Sequence, residues 1–282
     1  VTIKNILSNV RSRLVRTLLK IIKEHIEYRK QIIKLAKADL VKTYRGSALG
    51  WSWAVIKPTV TIFVYWFAFS IGLRANSEVS GFPFFLWLIA GIVPWFYMGD
   101  MITGGTNCIR KYSYLVNKMK FPVSTIPTFV SISNMMINII LIVIVIAIFW
   151  MFGYVPDVYL LQLPFYLLLS FIFFTLWAFF ASFIGAMSKD FVNLVKSFIT
   201  AVFWLSGILW DADAITNPWL HRFLMLNPVT FLVTGVRNCF INKIWFWDQP
   251  KRLMYFIILT VVMLILGLWS YRRLRKEIPD VL

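Results

Sequence analysis

Few side chains in this sequence could do chemistry, and their spacing narrows what kind. Histidine occurs at His25 and His221 alone, and neither has a local metal-ligand or triad partner, so both read as interfacial rather than catalytic. Cys108 and Cys239 stand in separate segments with no CxxC or His-Cys spacing, which supports neither a disulfide framework nor a metal site. Asp211-Ala212-Asp213 has the DxD form of a metal-assisted sugar-nucleotide site, but its segment falls on the face away from nucleotides, and a solvated turn is the better reading. No GxxxxGK[ST] segment occurs, so a Walker site for ATP is excluded. What remains is basic and aromatic. Arg45, closing the run Tyr44-Arg45-Gly46, could meet a phosphate group at a membrane surface, where a guanidinium offers bidentate contacts. Arg110-Lys111 and Lys118-Met119-Lys120-Phe121-Pro122 form a basic, proline-stopped segment, which in a chain without a nucleotide site of its own suggests a protein driven from outside itself.

The elements that must position these residues follow from composition. The chain has 282 residues, is 60% hydrophobic and 18% aromatic, and carries a formal charge of +17 with only 12 acidic side chains. Such a chain uses lipid as solvent, and its basic excess points to anionic lipid rather than nucleic acid. A helix needs roughly 20 apolar residues to cross the hydrocarbon layer. Pro58 to Leu73, Phe82 to Met98, Val123 to Phe152, Pro164 to Met187, Phe191 to Trp210 and Leu253 to Trp269 therefore predict six spans, the first extended at the interface by Trp51 and Trp53. Of the 29 Lys and Arg residues, only Arg74, Arg222, Arg237, Lys243, Lys251 and Arg252 fall in loops opposite the termini, so both termini are expected in the cytoplasm. The first residues carry no cleavable-signal pattern, which leaves targeting to the first span.

Two regions depart from simple spanning. Leu7, Val10, Leu14, Leu18 and Ile21 recur at helical spacing while Arg11, Arg13, Arg16, Lys20 and Lys23 occupy other faces, the pattern of an amphipathic helix lying in the interface. A second run continues through Ile33, Ala36 and Leu40. Before the last span, Leu220 to Leu226 and Val229 to Phe240 are each too short to cross and are separated by Asn227-Pro228. They read as a re-entrant hairpin over about 218–241 that lines a path, or as two helices flat in the interface between Trp219, Trp245 and Trp247. The expected fold is thus an all-α polytopic membrane protein, with an interfacial region at 1–50 and a six-span domain at 51–282. Asp100 sits near the cytoplasmic end of its span, in a functional or a capping role, and Asn134 and Asn138 share a helix face suited to bridging helices.

Several stretches carry a family resemblance. Asp39 to Pro58 reads DLVKTYRGSALGWSWAVIKP, an acidic residue, a basic and aromatic stretch, Leu-Gly-x-x-Trp and a proline opening the first span. Leu115 to Pro127, LVNKMKFPVSTIP, is similar to a coupling segment. With Ile62 to Arg74, Pro83 to Trp95 and Tyr159 to Pro164, the chain resembles the membrane subunit of ABC exporters for cell-envelope polysaccharides, most closely the wall teichoic acid branch. Two positions depart from the pattern: Lys189-Asp190 replaces Arg-Asp, and Ser206-Gly207-Ile208 replaces Ser-Pro-Ile.

The resemblance implies a permease, not an enzyme, that pairs with a second copy of itself and with two cytosolic ATPase subunits. ATP and Mg would be bound by the partner and no cofactor by this chain. The coupling segment, about 110–122 with Arg110, Lys111, Lys118, Lys120, Phe121 and Pro122, would dock on the ATPase. The cargo would be an undecaprenyl-diphosphate-linked wall teichoic acid or related polymer, or alternatively an O-antigen or capsular polysaccharide. It would load at Lys42, Tyr44 and Arg45 and pass the aromatic faces of Trp66, Trp87, Trp95 and Trp177 in the cell membrane. An ion-coupled secondary transporter would instead need inverted repeats and midplane ionisable groups, and a membrane-embedded transferase a facing acid or histidine pair.

Overall fold

A computed structural model of the chain describes residues 3–72, 78–119 and 121–281, with side chains at 15–42, 45–72, 78–117, 121–278 and 281. The chain is helical almost throughout, because a backbone surrounded by hydrocarbon must satisfy its own polar groups. Helices α1 (Ile3–Glu27) and α2 (Arg29–Tyr44) precede the first span, α3 (Trp53–Trp66), which ends in a π-helical turn, Phe67–Gly72. A two-stranded hairpin, β1 (Glu78–Val79) with β2 (Phe82–Pro83), turns through Ser80 and Gly81, both at positive φ, and delivers the chain into α4 (Phe84–Thr106). Short α5 (Cys108–Lys111) and α6 (Ser113–Met119) lead to the long helices α7 (Ile126–Met151) and α8 (Leu163–Met187). Then come α9 (Lys189–Trp204), α10 (Pro218–Met225), α11 (Pro228–Arg237), α12 (Pro250–Leu274) and the terminal turn α13 (Ile278–Val281).

Local sequence sets many of the starts. Proline stands in the first turn of α7, α8, α10, α11 and α12, where its missing N–H costs nothing. Asn217, Asn227 and Ser188 cap α10, α11 and α9 by accepting from the N–H of Trp219, Val229 and Phe191 at 3.0, 2.9 and 3.2 Å.

The core is built around α4, which packs on α7, α8, α9 and α11. Close approach is made by small residues: a Cβ on Gly105 would lie 2.8 Å from that of Ala178, and one on Gly185 2.4 Å from the Thr106 carbonyl oxygen. Tyr97, Ser131 and Thr175 join α4, α7 and α8 by hydroxyl hydrogen bonds of 2.8 and 2.6 Å, which keep buried polar groups paired.

The span count reaches the expected six if the bent helix pair Pro218–Met225 with Pro228–Asn242 is taken as one span. Among the described residues five segments are long and apolar enough to cross a membrane: Gly50–Gly72, Phe84–Thr106, Val123–Met151, Val158–Met187 and Pro250–Leu274. The segment expected to span at Phe191 to Trp210 is not among them. Its helix α9 has 16 residues, about 24 Å of rise against a hydrocarbon layer of about 30 Å. Gly207, at φ 62°, follows α9 in a left-handed conformation closed to proline, the residue that Ser-Gly-Ile replaces. The first span also begins earlier than expected, with Pro58 inside α3 rather than opening it.

The expected hairpin is an L. Helices α10 and α11, the latter prolonged by a π-helical turn to Asn242, meet at 88°. Trp219, Leu220 and Phe223 of α10 stay exposed, while Val229, Leu232, Val233 and Val236 of α11 are buried against α4 and α8.

Candidate functional site

At one end of the bundle the segment between α4 and α7 is tied inward from several directions. Arg110, at the start of that segment, donates from Nε to the Gly185 carbonyl and from Nη2 to that of Ala186, both at 2.6 Å. Those carbonyls belong to the last turn of α8, where helix ends leave acceptors free and negative potential attracts a cation. Lys111 donates to Oδ1 of Asp39 at 3.1 Å, and the Tyr112 hydroxyl donates to the same oxygen. Asp39 is 6% exposed, so α2 carries a buried carboxylate held by a cation and a phenol. Burial, then the Asp39 hydrogen bond and charge, keep the Tyr112 phenol protonated well above its ordinary range. Lys42 adds a weaker bond, its ammonium 5.9 and 5.6 Å from the Tyr112 and Tyr114 rings.

A second set of contacts gathers α1, the start of α7 and the end of α12 at the same end. Ser124 donates to Glu24, Tyr271 donates to Glu24 at 3.5 Å, and Arg275 donates to the Tyr271 hydroxyl at 3.0 Å. His25 is hydrogen-bonded to the Ile21 carbonyl and to Thr128 Oγ1, each at 2.8 Å, so it is a joint between helices. Phe121 rests edge-on against Tyr28, with ring centres 5.5 Å apart. The α2 face is one residue off the expected register: Ile32, Ala36 and Asp39 are buried, whereas Ile33 is exposed. Sequence alone gave no reason to place a carboxylate on that face.

The expected loading residues are only partly visible here. Lys42 and Arg45 are exposed, and Lys42 lies on the aromatic pair of the coupling segment. The side chains of Tyr44 and Lys118, and all of Lys120, lie outside the described residues. Cys108 is fully buried, and burial pushes its thiol up to about 12, so it stays a small packed group. Among the described residues no three of His, Cys, Asp and Glu come together as metal ligands.

The opposite end holds what sequence reading missed. Arg237, expected in an outer loop, is 4% exposed and buried between α11 and α4. Its Nη1 and Nη2 donate to the Gly207 and Ile208 carbonyls at 2.7 and 2.5 Å, its Nε donates to Trp87 at 3.4 Å, and its guanidinium lies 3.4 Å from the centre of the Trp87 ring. A Cβ on Gly91 would sit 2.2 Å from Nη2, so glycine is what makes room for the charge. The left-handed Gly207 belongs to the same turn, whose carbonyls meet Arg237. Nearby, Asp213 accepts from Arg252 at 2.6 Å and lies 3.5 Å from His221, so the second Asp of the DxD ties α10 to α12. Burial alone would push the Asp213 carboxyl up, but the hydrogen bond and charge of Arg252, with His221, hold it below the usual carboxylate range. Lys243 and Asp157 pair at 2.6 Å on the same side.

The four tryptophans proposed to face a path are differently placed. Trp87 is stacked on Arg237, and Trp95 lies 5.4 Å from the Phe203 ring. Trp177 donates to the Ile102 carbonyl at 3.3 Å, and Trp66 meets Phe85 edge-on. Within one chain the structure does not bring these four together.

Residues 30–241 match the family described as ABC-2 type transporter. The O-antigen export system permease protein RfbA of Myxococcus xanthus is 25% identical over 224 residues, 79% of this chain and 85% of the relative. Two proteins of the same name from Klebsiella pneumoniae are 26% and 23% identical over 269 and 266 residues, each covering 89% of this chain and 94% of the relative.

Proposed function

The chain belongs to the ABC-2 type transporter family, a multi-pass membrane subunit that is not itself the ATPase, and on that premise we propose that it exports a lipid-linked cell-surface polysaccharide of O-antigen type. The observation that carries this reading is the near end-to-end match to O-antigen export permeases, with 89% of the chain covered. A wall teichoic acid polymer is the second reading, favoured by the likeness at Ile62 to Arg74 and Pro83 to Trp95.

In this reading the basic end faces the cytoplasm, where 110–122 docks on an ATPase that binds ATP and Mg. Docking energy enters along two routes that the geometry supports: through Arg110 into α8, and through Lys111 and Tyr112 into α2 by way of Asp39. Two permeases and two ATPases assemble around a shared path, and Lys42, Tyr44 and Arg45 receive the lipid diphosphate.

The test is a strain lacking the chain. Lipid-linked polymer is expected to accumulate inside while surface polymer disappears, and the chemistry of the accumulated polymer distinguishes O-antigen from teichoic acid. Restoring the chain with Lys118→Glu and Lys120→Glu should leave it in the membrane without restoring export. Unchanged surface polymer in the strain lacking the chain would overturn the exporter reading, and full rescue by the charge-reversed variant would overturn the dock.

A further inference from the structure

A cavity of about 330 Å³ opens between α3, α4 and α7. Its polar wall is made by Lys57 and Thr61 of α3, Asp100 of α4, and Asn134 and Asn138 of α7, with the Trp53 ring beside them. These groups belong to segments long and apolar enough to cross a membrane, and Asp100 stands six residues, about 9 Å of helix rise, from the end of α4 at Thr106. Polar groups at that depth are costly unless something meets their hydrogen bonds.

Within the chain they are met only in part: Thr61 donates to the Lys57 carbonyl at 3.0 Å, and the Lys57 and Asp100 side chains are exposed. Asn138 is 2% exposed, and its Oδ1 has no hydrogen-bond partner among the described residues. Asn134 donates to the Met101 sulfur at 3.5 Å. Among the described residues neither Lys57 nor Asp100 has an ion-pair partner within 4.0 Å. Two amides spaced four apart line the cavity, and one of them also bridges α7 to α4 through Met101.

The balance of this wall identifies its ligand by class. One cation and one anion cancel, so a phosphate would meet the Asp100 carboxylate and an ammonium would meet Lys57. The amides, the Thr61 hydroxyl and the two charges supply donors and acceptors together, and Trp53 and Phe96 add flat apolar faces. That set suits a neutral group with many hydroxyls on a C–H-bearing ring. The volume stands at the low end of the roughly 300–1,000 Å³ of ligand sites, room for a short piece of glycan.

We propose that the cavity between α3, α4 and α7 is a sugar-binding subsite, in which Lys57, Asp100, Asn134 and Asn138 hydrogen-bond the hydroxyls of a glycan within the inner half of the membrane. This rests on the exporter reading and adds to it a site on the path. The tryptophans of the core take no part, since their rings are engaged elsewhere.

The test places a photoreactive benzoylphenylalanine at Ile137, on the cavity wall, and at Leu168, an exposed position on α8, in cells making their own polymer. After irradiation the chain is purified and its adducts are assayed by periodate oxidation for glycan and by mass spectrometry for phospholipid. Glycan adduct is expected at Ile137 and not at Leu168. Asn138→Leu should lower its yield about tenfold, the effect of roughly 1.4 kcal/mol of lost hydrogen bonding. If that variant fails to accumulate, Asn134→Leu, at a half-buried site, carries the comparison. Phospholipid alone at Ile137, equal glycan at both positions, or a yield unmoved by the Asn variant recovered in the membrane would overturn the subsite. Absence of glycan adduct in cells whose export still requires the chain removes the subsite and leaves the exporter; export that does not require the chain removes the exporter reading first.

Discussion

Helices α3 and α4 belong to spans of the same length, 23 residues, yet 6% of one span's apolar window is buried in the chain and 78% of the other's. Both are apolar enough to enter lipid, and overall apolarity does not separate them. The difference is in what they meet. Helix α4 offers glycines at Gly91 and Gly105, where an arginine and a neighbouring helix come close, whereas α3 presents Val60, Phe63 and Val64 outward and touches mainly α4. In lipid an apolar face gains nothing by being hidden, so close fit and hydrogen bonds decide which helix becomes core.

The sharpest way to break that contrast is to remove what holds the core helix. Arg237→Met deletes donors to the Gly207, Ile208 and Trp87 carbonyls and is expected to cost about 3 kcal/mol, read as the unfolding midpoint of the purified chain in detergent. Gly91→Ala should be strongly destabilising alone but much less so beside Arg237→Met, because the Cβ then meets no guanidinium. Additive losses in that cycle would detach the glycine from the arginine.

Next in size, Gly105→Leu drives a side chain into Ala178 and is expected to cost about 2–3 kcal/mol, while Val60→Leu on α3 should stay within about 0.5 kcal/mol. Equal losses would mean that α3 is as tightly held as α4. The smallest effect concerns pH. Asp213 has a folded pKa held below its unfolded value of about 3.9, so its contribution is present above that value and is lost as pH falls through the folded one. Being partly exposed and screened, the pair with Arg252 contributes under about 1 kcal/mol. A shallow loss of stability below about pH 4 is expected, and Asp213→Asn should flatten it; an unchanged slope in that variant would assign the loss to other carboxylates.

Much of the fold was legible because membrane insertion depends on local apolarity. The long spans, the break at Asn227-Pro228 and the basic segment before Pro122 each follow from residues within one short stretch. The short reach of α9 was hidden for the same reason: Leu205 to Trp210 is apolar enough to continue a span, but its carbonyls turn toward an arginine distant in sequence. Arg237 read as an outer-loop charge because a count of cations takes no account of a pocket between two helices. Asp39 and the α5 cations could be seen separately, but their meeting required α2 to lie against α7.

By itself the sequence determined a multi-pass helical membrane chain, the sites where many of its helices start, and the place of its basic segments, since these depend on local transfer energy, proline and caps. Tertiary structure alone decided which span became core, where Arg237 and Asp39 found partners, and that Asp100, Asn134 and Asn138 face one cavity. Those outcomes turn on distances between helices that share no local sequence, and hydrogen bonds and close contacts act only at such distances.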